Sequence, residues 1–266
     1  MIKKSISFLF VVLLLSACRK DEPITLFTDT LPDPEMIIRP PRPMVKTIIS
    51  TDYQGNVRTE HYYYDTLWRL IENEHVNGAT VYTDTFTYSP GYVIKNSYFL
   101  WRLSSNGLAY EDNNSSWYAQ MHYTYSADSF MSSQYRMSGR SNYIYDSNHN
   151  LTETHTQTEA NPPNYIYSDN YCYYNNHPNT IGNYNTGQYY FGKSSTNLSE
   201  REENSWNYNG NTPNTGFVLY NYTYNDSGWV SRKEHNAANI QPTQIDSVTV
   251  IYDTTYYHTQ FDYTYY

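Results

Sequence analysis

Aromatic residues recur at alternate positions along much of the chain, and a polar turn follows each pair. The pairs are Tyr62/Tyr64, Phe86/Tyr88, Tyr123/Tyr125, Tyr143/Tyr145 and Tyr222/Tyr224. Side chains alternate across a strand with period 2, so the two aromatics of a pair share one face. Six positions after the second aromatic stand Leu70, Ile94, Met131, Leu151 and Val230, all apolar. Between them lie turn formers: Asp65-Thr66, Ser89-Pro90-Gly91, Asp146-Ser147-Asn148 and Asn225-Asp226-Ser227-Gly228. Asp, Asn and Ser bond their own backbone in turns, and Gly tolerates positive φ. The pattern predicts β-hairpins in which the apolar residue opens the return strand on the buried face. A partial sixth copy runs from Asp52 to Val57, with Thr51 in place of the second tyrosine. Helix is disfavoured, since Tyr and Thr favour strands and Asn and Gly break helices.

The expected fold class is all-β: an antiparallel meander of hairpins forming a long twisted or partly rolled sheet over residues 46–266. Five or six unevenly spaced copies look too few for a closed shell. Residues 171–221 interrupt the pattern, and Asn175–Asn179 and Asn207–Asn214 read as turn and loop.

Composition narrows the class. Tyrosine contributes 33 residues and asparagine 28, while 16% of residues are charged, against roughly 25% in an ordinary domain. So many aromatics exclude a solvated disordered polymer. A net charge of −9 argues against nucleic acid as a partner. Two cysteines cannot build a disulfide scaffold. A mean hydropathy of −0.76 excludes a polytopic helical membrane protein. A membrane-spanning barrel is disfavoured as well, because a lipid-facing band needs Leu, Val and Phe, whereas these strands alternate Tyr with Asn, Ser and Thr.

The one apolar run, Ile6–Leu15, follows Lys3 and Lys4 and is too short to span a bilayer. It reads as a secretory signal. Leu15-Ser16-Ala17-Cys18 resembles a bacterial lipobox, which implies cleavage before Cys18 and lipidation of its sulfur and amine. Residues 1–17 are then the signal peptide, and 18–45 the lipidated cysteine and a tether. Six of the 12 prolines fall in that tether, favouring extended polyproline II. Arg19-Lys20-Asp21-Glu22 resembles the surface-export signals of Bacteroidota lipoproteins. The expected location is the outer membrane, lipid-anchored at the cell surface, with its periplasmic face as the alternative.

The repeat resembles the YD repeat of RHS and teneurin proteins, Tyr-x-Tyr-Asp-x-x-Gly-Arg/Asn-Leu. Residues Tyr62–Leu70 fit it except for Trp68 in place of Gly, and Tyr143–Leu151 except for His149. Tyr222–Gly228 keeps the Gly and loses the Asp. The chain looks like YD-like Bacteroidota lipoproteins of unknown function over residues 46–266. That resemblance implies an architecture and no activity.

No nucleophile elbow, zinc-binding His pair, Cys-x-x-Cys or phosphate loop is present. Asp146, Asn148 and Asn150 have the first ligand spacings of a calcium loop, but Leu151 and Gln157 stand where Gly and Glu are needed. Glu200, Glu202 and Glu203 form a carboxylate cluster with no tied second group. Histidines 61, 75, 155 and 235 each lie beside or near a glutamate and would form a ladder if their strands were neighbours. Cys172 reads as an inert buried thiol. No metal, cofactor or catalytic residue is assigned. The expected function is a non-enzymatic envelope lipoprotein acting as a surface scaffold or interaction module. It is held to the membrane by the anchor, with glycans or envelope proteins as partners and no nucleic acid. The alternative is glycan binding through exposed aromatics, with Trp101, Trp117, Trp206 and Trp229 as candidates; a hydrolase is a third reading.

Overall fold

The structure is a computed structural model that describes residues 43–266, apart from 114–119, 137, 162–163, 209–213 and 245–249. The expected signal peptide, Cys18 and the expected tether up to residue 42 lie outside the described residues. Sixteen strands are described. The first eight are β1 (Val45–Thr51), β2 (Val57–Tyr64), β3 (Leu70–Asn77), β4 (Thr80–Ser89), β5 (Tyr92–Lys95), β6 (Phe99–Leu103), β7 (Ala109–Asn113) and β8 (His122–Tyr125). The second eight are β9 (Met131–Arg136), β10 (Gly139–Tyr145), β11 (Leu151–Asn161), β12 (Asn164–Pro178), β13 (Asn197–Tyr208), β14 (Asn214–Tyr224), β15 (Val230–Gln244) and β16 (Val250–Tyr265).

Each strand pairs antiparallel with its sequence neighbours, and β1 pairs with β16. The all-β meander is as expected, but the sheet does not stop at a partial roll: it closes into a barrel. Closure removes the unpaired edges that an open sheet would expose. The copy count underestimated the sheet because hairpins without a tyrosine pair also supply strands. The body also starts slightly earlier than residue 46. Val45 is fully buried in β1, Tyr266 N–H donates to Met44 O at 3.1 Å, and Asn185 Nδ2 donates to Pro43 O at 2.9 Å.

The repeat corresponds to one turn geometry. At Asp65, Asp146 and Asn225, a side-chain oxygen accepts from the backbone N–H two and four residues on. In each, the main-chain oxygen of the same residue accepts from the N–H three residues on. The residue there has positive φ: Trp68 at 59°, His149 at 64° and Gly228 at 77°. Trp68 and His149 therefore occupy the left-handed position where the motif carries glycine. A bulge then brings the second aromatic opposite the apolar residue, pairing Tyr64 with Leu70, Tyr125 with Met131, Tyr145 with Leu151 and Tyr224 with Val230. Phe86/Tyr88 departs from this. Its hairpin is tighter, Tyr88 faces Val93, and Ile94 faces Thr87 on the other side of the sheet. Ser104–Leu108 repeats the five-residue turn with Leu103 in place of the tyrosine, so the aromatic pattern did not reveal it.

In a meander, turns alternate between the two ends of the barrel. The five full copies all lead from an even strand to an odd one and lie at the end where β1 begins and β16 finishes. The partial copy at Asp52–Asn56 connects β1 to β2 and lies at the opposite end.

Residues 179–196, between β12 and β13, are the irregular part. The rest of the 171–221 region is strand wherever it is described, including Asn175–Pro178. This segment plugs the end that carries the repeat turns. Its one-turn 3-10 helix, Tyr189–Phe191, places Tyr190 against Trp101 at a 5.3 Å ring separation, and Phe191 against Trp101 at 5.6 Å. Tyr190 joins Val45, Tyr62, Leu70, Phe86, Val93, Trp101, Ala109 and Tyr123 in one buried cluster.

The plug also satisfies backbone groups along the rim. Val45 N–H donates to Asn185 O, Leu70 N–H to Gly187 O, Leu151 N–H to Ser195 Oγ and Val230 N–H to Thr180 Oγ1. The carbonyls of the same four residues accept from tyrosine hydroxyls: Tyr64 on Val45, Tyr88 on Leu70, Tyr174 on Leu151 and Tyr265 on Val230, at 2.6–2.8 Å. This is a physical reason for Tyr rather than Phe at these positions, since a phenyl ring would leave a part-buried carbonyl unpaired. Gly187 has φ +71°, and a Cβ there would lie 2.7 Å from Leu70 N. The plug can approach the wall this closely only because that residue is glycine.

Candidate functional site

The plug packs its aromatic rings against one wall of the barrel and meets the other through hydrogen bonds at the rim. Between it and the inner faces of β10–β15 lies a cavity of about 440 Å³. The wall contributes Tyr143, Tyr145, Leu151, Tyr174, Tyr222 and Lys233; the plug contributes Asn179, Asn183, Lys193, Ser194 and Ser195. These side chains offer aromatic faces, amides and hydroxyls, the groups that pair with a polar ligand of drug or sugar size. None of the lining residues is acidic.

The two lysines differ in setting. Lys193 is exposed, its ammonium 5.5 Å from the centre of the Phe130 ring. Lys233 is half-buried on β15, opposite Tyr222, with Nζ 4.3 Å from the centre of the Tyr220 ring and 5.9 Å from that of Phe261. Burial pulls its pKa below the ordinary lysine value, and Glu202 pulls partly the other way. Among the described residues no carboxylate lies within ion-pair distance of it. Glu202 is engaged with the Tyr220 hydroxyl, which helps to push that phenol up. Burial pushes the Cys172 thiol, opposite Glu202, up to about 12, so it is protonated at neutral pH.

Across the barrel a second set of charges is fully paired. Arg58 meets Glu60 at 3.0 Å, His75 bridges Glu60 at 3.5 Å and Asp84 at 3.1 Å, and Lys95 meets Asp84 at 2.7 Å. Tyr62 donates to Glu60, and the His75 ring stacks on Tyr82 at 4.5 Å. Each group is used by a neighbour, as a structural network requires.

The sequence candidates are dispersed. Trp101 is 7% exposed in the core. Trp206 is half-buried on β13, and Trp229 is half-buried in the β14–β15 turn, edge-on to Tyr265. Trp117 lies outside the described residues. No shared strip joins the three that are described. The histidines form no single ladder: Glu60 faces His75 across β2–β3 on the lumen side, while His61, one residue on, points outward and meets Thr47. His155 on β11 meets Asp169 and Glu153. Asp146 spends its carboxylate on its own turn. Glu202 and Glu203 point to opposite faces, Glu203 pairing with Arg201. Among the described residues no group of three or more His, Cys, Asp or Glu could hold a metal ion.

Sequence reasoning missed Lys193 and Lys233, which no spacing links across 40 positions. One signal was available: residues 46–266 contain four lysines, and two of them line this cavity.

No protein-family model and no curated protein sequence matches the chain. Among solved structures, it is similar to a porin-like protein from Bacteroides vulgatus, with a TM-score of 0.54 and 16% identity over 84% of this chain and 99% of that one. It is also similar to a porin-like protein from Bacteroides uniformis, with a TM-score of 0.50 and 13% identity over 85% and 98% of the two chains. At these identities the likeness concerns the barrel fold.

Proposed function

We propose that this protein is a non-enzymatic cell-envelope lipoprotein, anchored through Cys18, whose barrel stands in water and acts as a binding module for a saccharide held between plug and wall. The observation that carries the water-facing reading is the outer surface. Residues alternating with the lumen-facing set include Arg201–Glu203, Arg232–Asp262 and His155–Asp169, which form ion pairs on the outside of the long strands. An arginine at the centre of a lipid-facing barrel wall would cost ~2–4 kcal/mol. A barrel with this outer face needs a separate tether, and the lipobox supplies one. More than one acyl chain would hold it stably.

The cavity favours glycan binding over a bare scaffold. Tyrosine rings present stacking faces, and Asn and Ser side chains both donate and accept, as sugar hydroxyls require. Plugging one end turns the lumen from a channel into a pocket.

Envelope fractionation tests the reading. Wild-type protein is expected in the outer-membrane fraction, whereas Cys18→Ala is expected to stay unprocessed or to leave the membrane on an alkaline carbonate wash. A processed Cys18→Ala chain that resists the wash would mean that the barrel itself is embedded in lipid.

A further inference from the structure

We infer that the cavity between plug and wall takes an acidic saccharide, one whose negative charge is met by Lys193 and Lys233, which both line it. This deepens the glycan reading and rests on the cavity being the binding surface.

The charge distribution carries the inference. The chain is acidic overall, with 26 Asp and Glu against 17 Lys and Arg, so a random cavity lining would be more negative than positive. This lining has two ammonium groups and no carboxylate. Elsewhere in the lumen cations come with anions, as in the Arg58–Glu60–His75–Asp84–Lys95 chain. Lys233 is half-buried, rests over an aromatic ring, and among the described residues has no carboxylate within ion-pair distance, Glu202 acting on it only from farther off. Holding a cation partly out of water with no carboxylate in contact costs free energy, and a ligand anion would offset that cost on binding. Bulk electrostatics would repel such a ligand from an acidic surface, so the attraction must come from the two lysines of the lining. Lysine is a compact point charge and suits a single carboxylate or sulfate group without requiring bidentate geometry.

The remaining lining argues for a saccharide rather than a bare ion. Tyr143, Tyr145, Tyr174 and Tyr222 supply ring area that an inorganic anion would not use. A volume of about 440 Å³ lies within the ~300–1,000 Å³ of pockets that enclose small organic ligands.

The test is calorimetric titration of the full-length protein in detergent. The probes are digalacturonate, N-acetylneuraminate and a sulfated galactose, each beside its uncharged counterpart (the methyl esters and galactose). At least one acidic probe should bind, and its neutral counterpart should bind about tenfold more weakly or worse, the loss expected for one charge-assisted contact. Lys233→Met, which keeps the aliphatic stem, and Lys193→Gln should each weaken the acidic probe by a similar factor. Arg232→Gln on the outer face should leave it unchanged. If neutral and acidic probes bind equally and the lysine variants have no effect, the glycan reading stands and the acidic one falls. If inorganic phosphate binds as tightly and displaces the sugar, the site is for a bare anion and the saccharide is overturned. If no probe of either kind binds, both readings fall together.

Discussion

The two walls of this barrel are built from the same hairpin and end up in different states. From β1 to β8 the strands are 4–10 residues long, and their inward side chains pack with Tyr190 into a buried cluster. From β11 to β16 they are 11–16 residues long, and a cavity separates β10–β15 from the plug. Leu70 and Leu151 show the contrast. Each follows a tyrosine anchor by six residues, each faces that anchor across a bulge, and each has its carbonyl capped by a tyrosine hydroxyl. Leu70 is fully buried, whereas Leu151 lines the cavity. Local motif fixes the turn and the pairing. Which side of the lumen the plug fills decides whether the same position becomes core or binding surface.

The largest expected effect comes from placing a charge at these two equivalent positions. Leu70→Asp would bury a carboxylate among Val45, Tyr62 and Tyr190 and should cost more than about 5 kcal/mol, enough to abolish folding of a marginally stable body. Leu151→Asp opens onto the cavity, where the carboxylate can keep water, and should cost no more than about 2 kcal/mol. Parallel urea melts read the difference, and equal losses would erase the distinction between the walls.

A middle-sized effect separates the two faces of the plug. Tyr190→Ala removes the ring at the centre of the packed side and should destabilise by about 3–5 kcal/mol. Ile181→Ala, on the cavity side, should cost under about 2 kcal/mol, because part of its surface already faces open space. Thermal denaturation of both variants checks the order. A larger loss for Ile181 would mean that the plug is held from the cavity side.

The smallest effect is a matter of pH. Burial raises the phenols of both walls, but unevenly: Tyr62, Tyr64, Tyr88 and Tyr123 are held far above the ordinary value, while Tyr145, beside the cavity, is pushed up to about 12. A raised folded-state pKa means stability that is complete below the unfolded value of 10.0 and is lost as pH climbs through the folded one. Unfolding should therefore set in between pH 10 and 12, with tyrosinate absorbance rising alongside loss of strand signal. Tyr145→Phe should remove one of the early inner steps, beside those of Tyr143 and Tyr265, and weaken the loss of stability over that range. Titration of all the inner tyrosines near pH 10 in a still-folded barrel would contradict this.

Much of the fold can be read along the chain because it depends on neighbours in sequence. Period-2 tyrosines, an Asp or Asn that caps its own turn, and an apolar residue six positions on are enough to specify a hairpin, even where Trp68 or His149 replaces glycine. The Ser104 turn was hidden only because Leu103 stands in for the tyrosine, and Ile94 was misplaced because the Pro90-Gly91 turn is shorter than its relatives. Closure of the sheet was not legible, since the pairing of β1 with β16 joins residues about 200 positions apart and leaves no local mark. Nor were the folding of residues 179–196 into the lumen and the placing of Lys193 and Lys233 around one cavity. The sequence by itself determines strand, turn and face, because those follow from side-chain alternation and short-range hydrogen bonds. The tertiary structure alone decides which inward faces become core and which become cavity, because that depends on where one irregular segment finds unpaired rim N–H groups to accept from and aromatic rings to pack against.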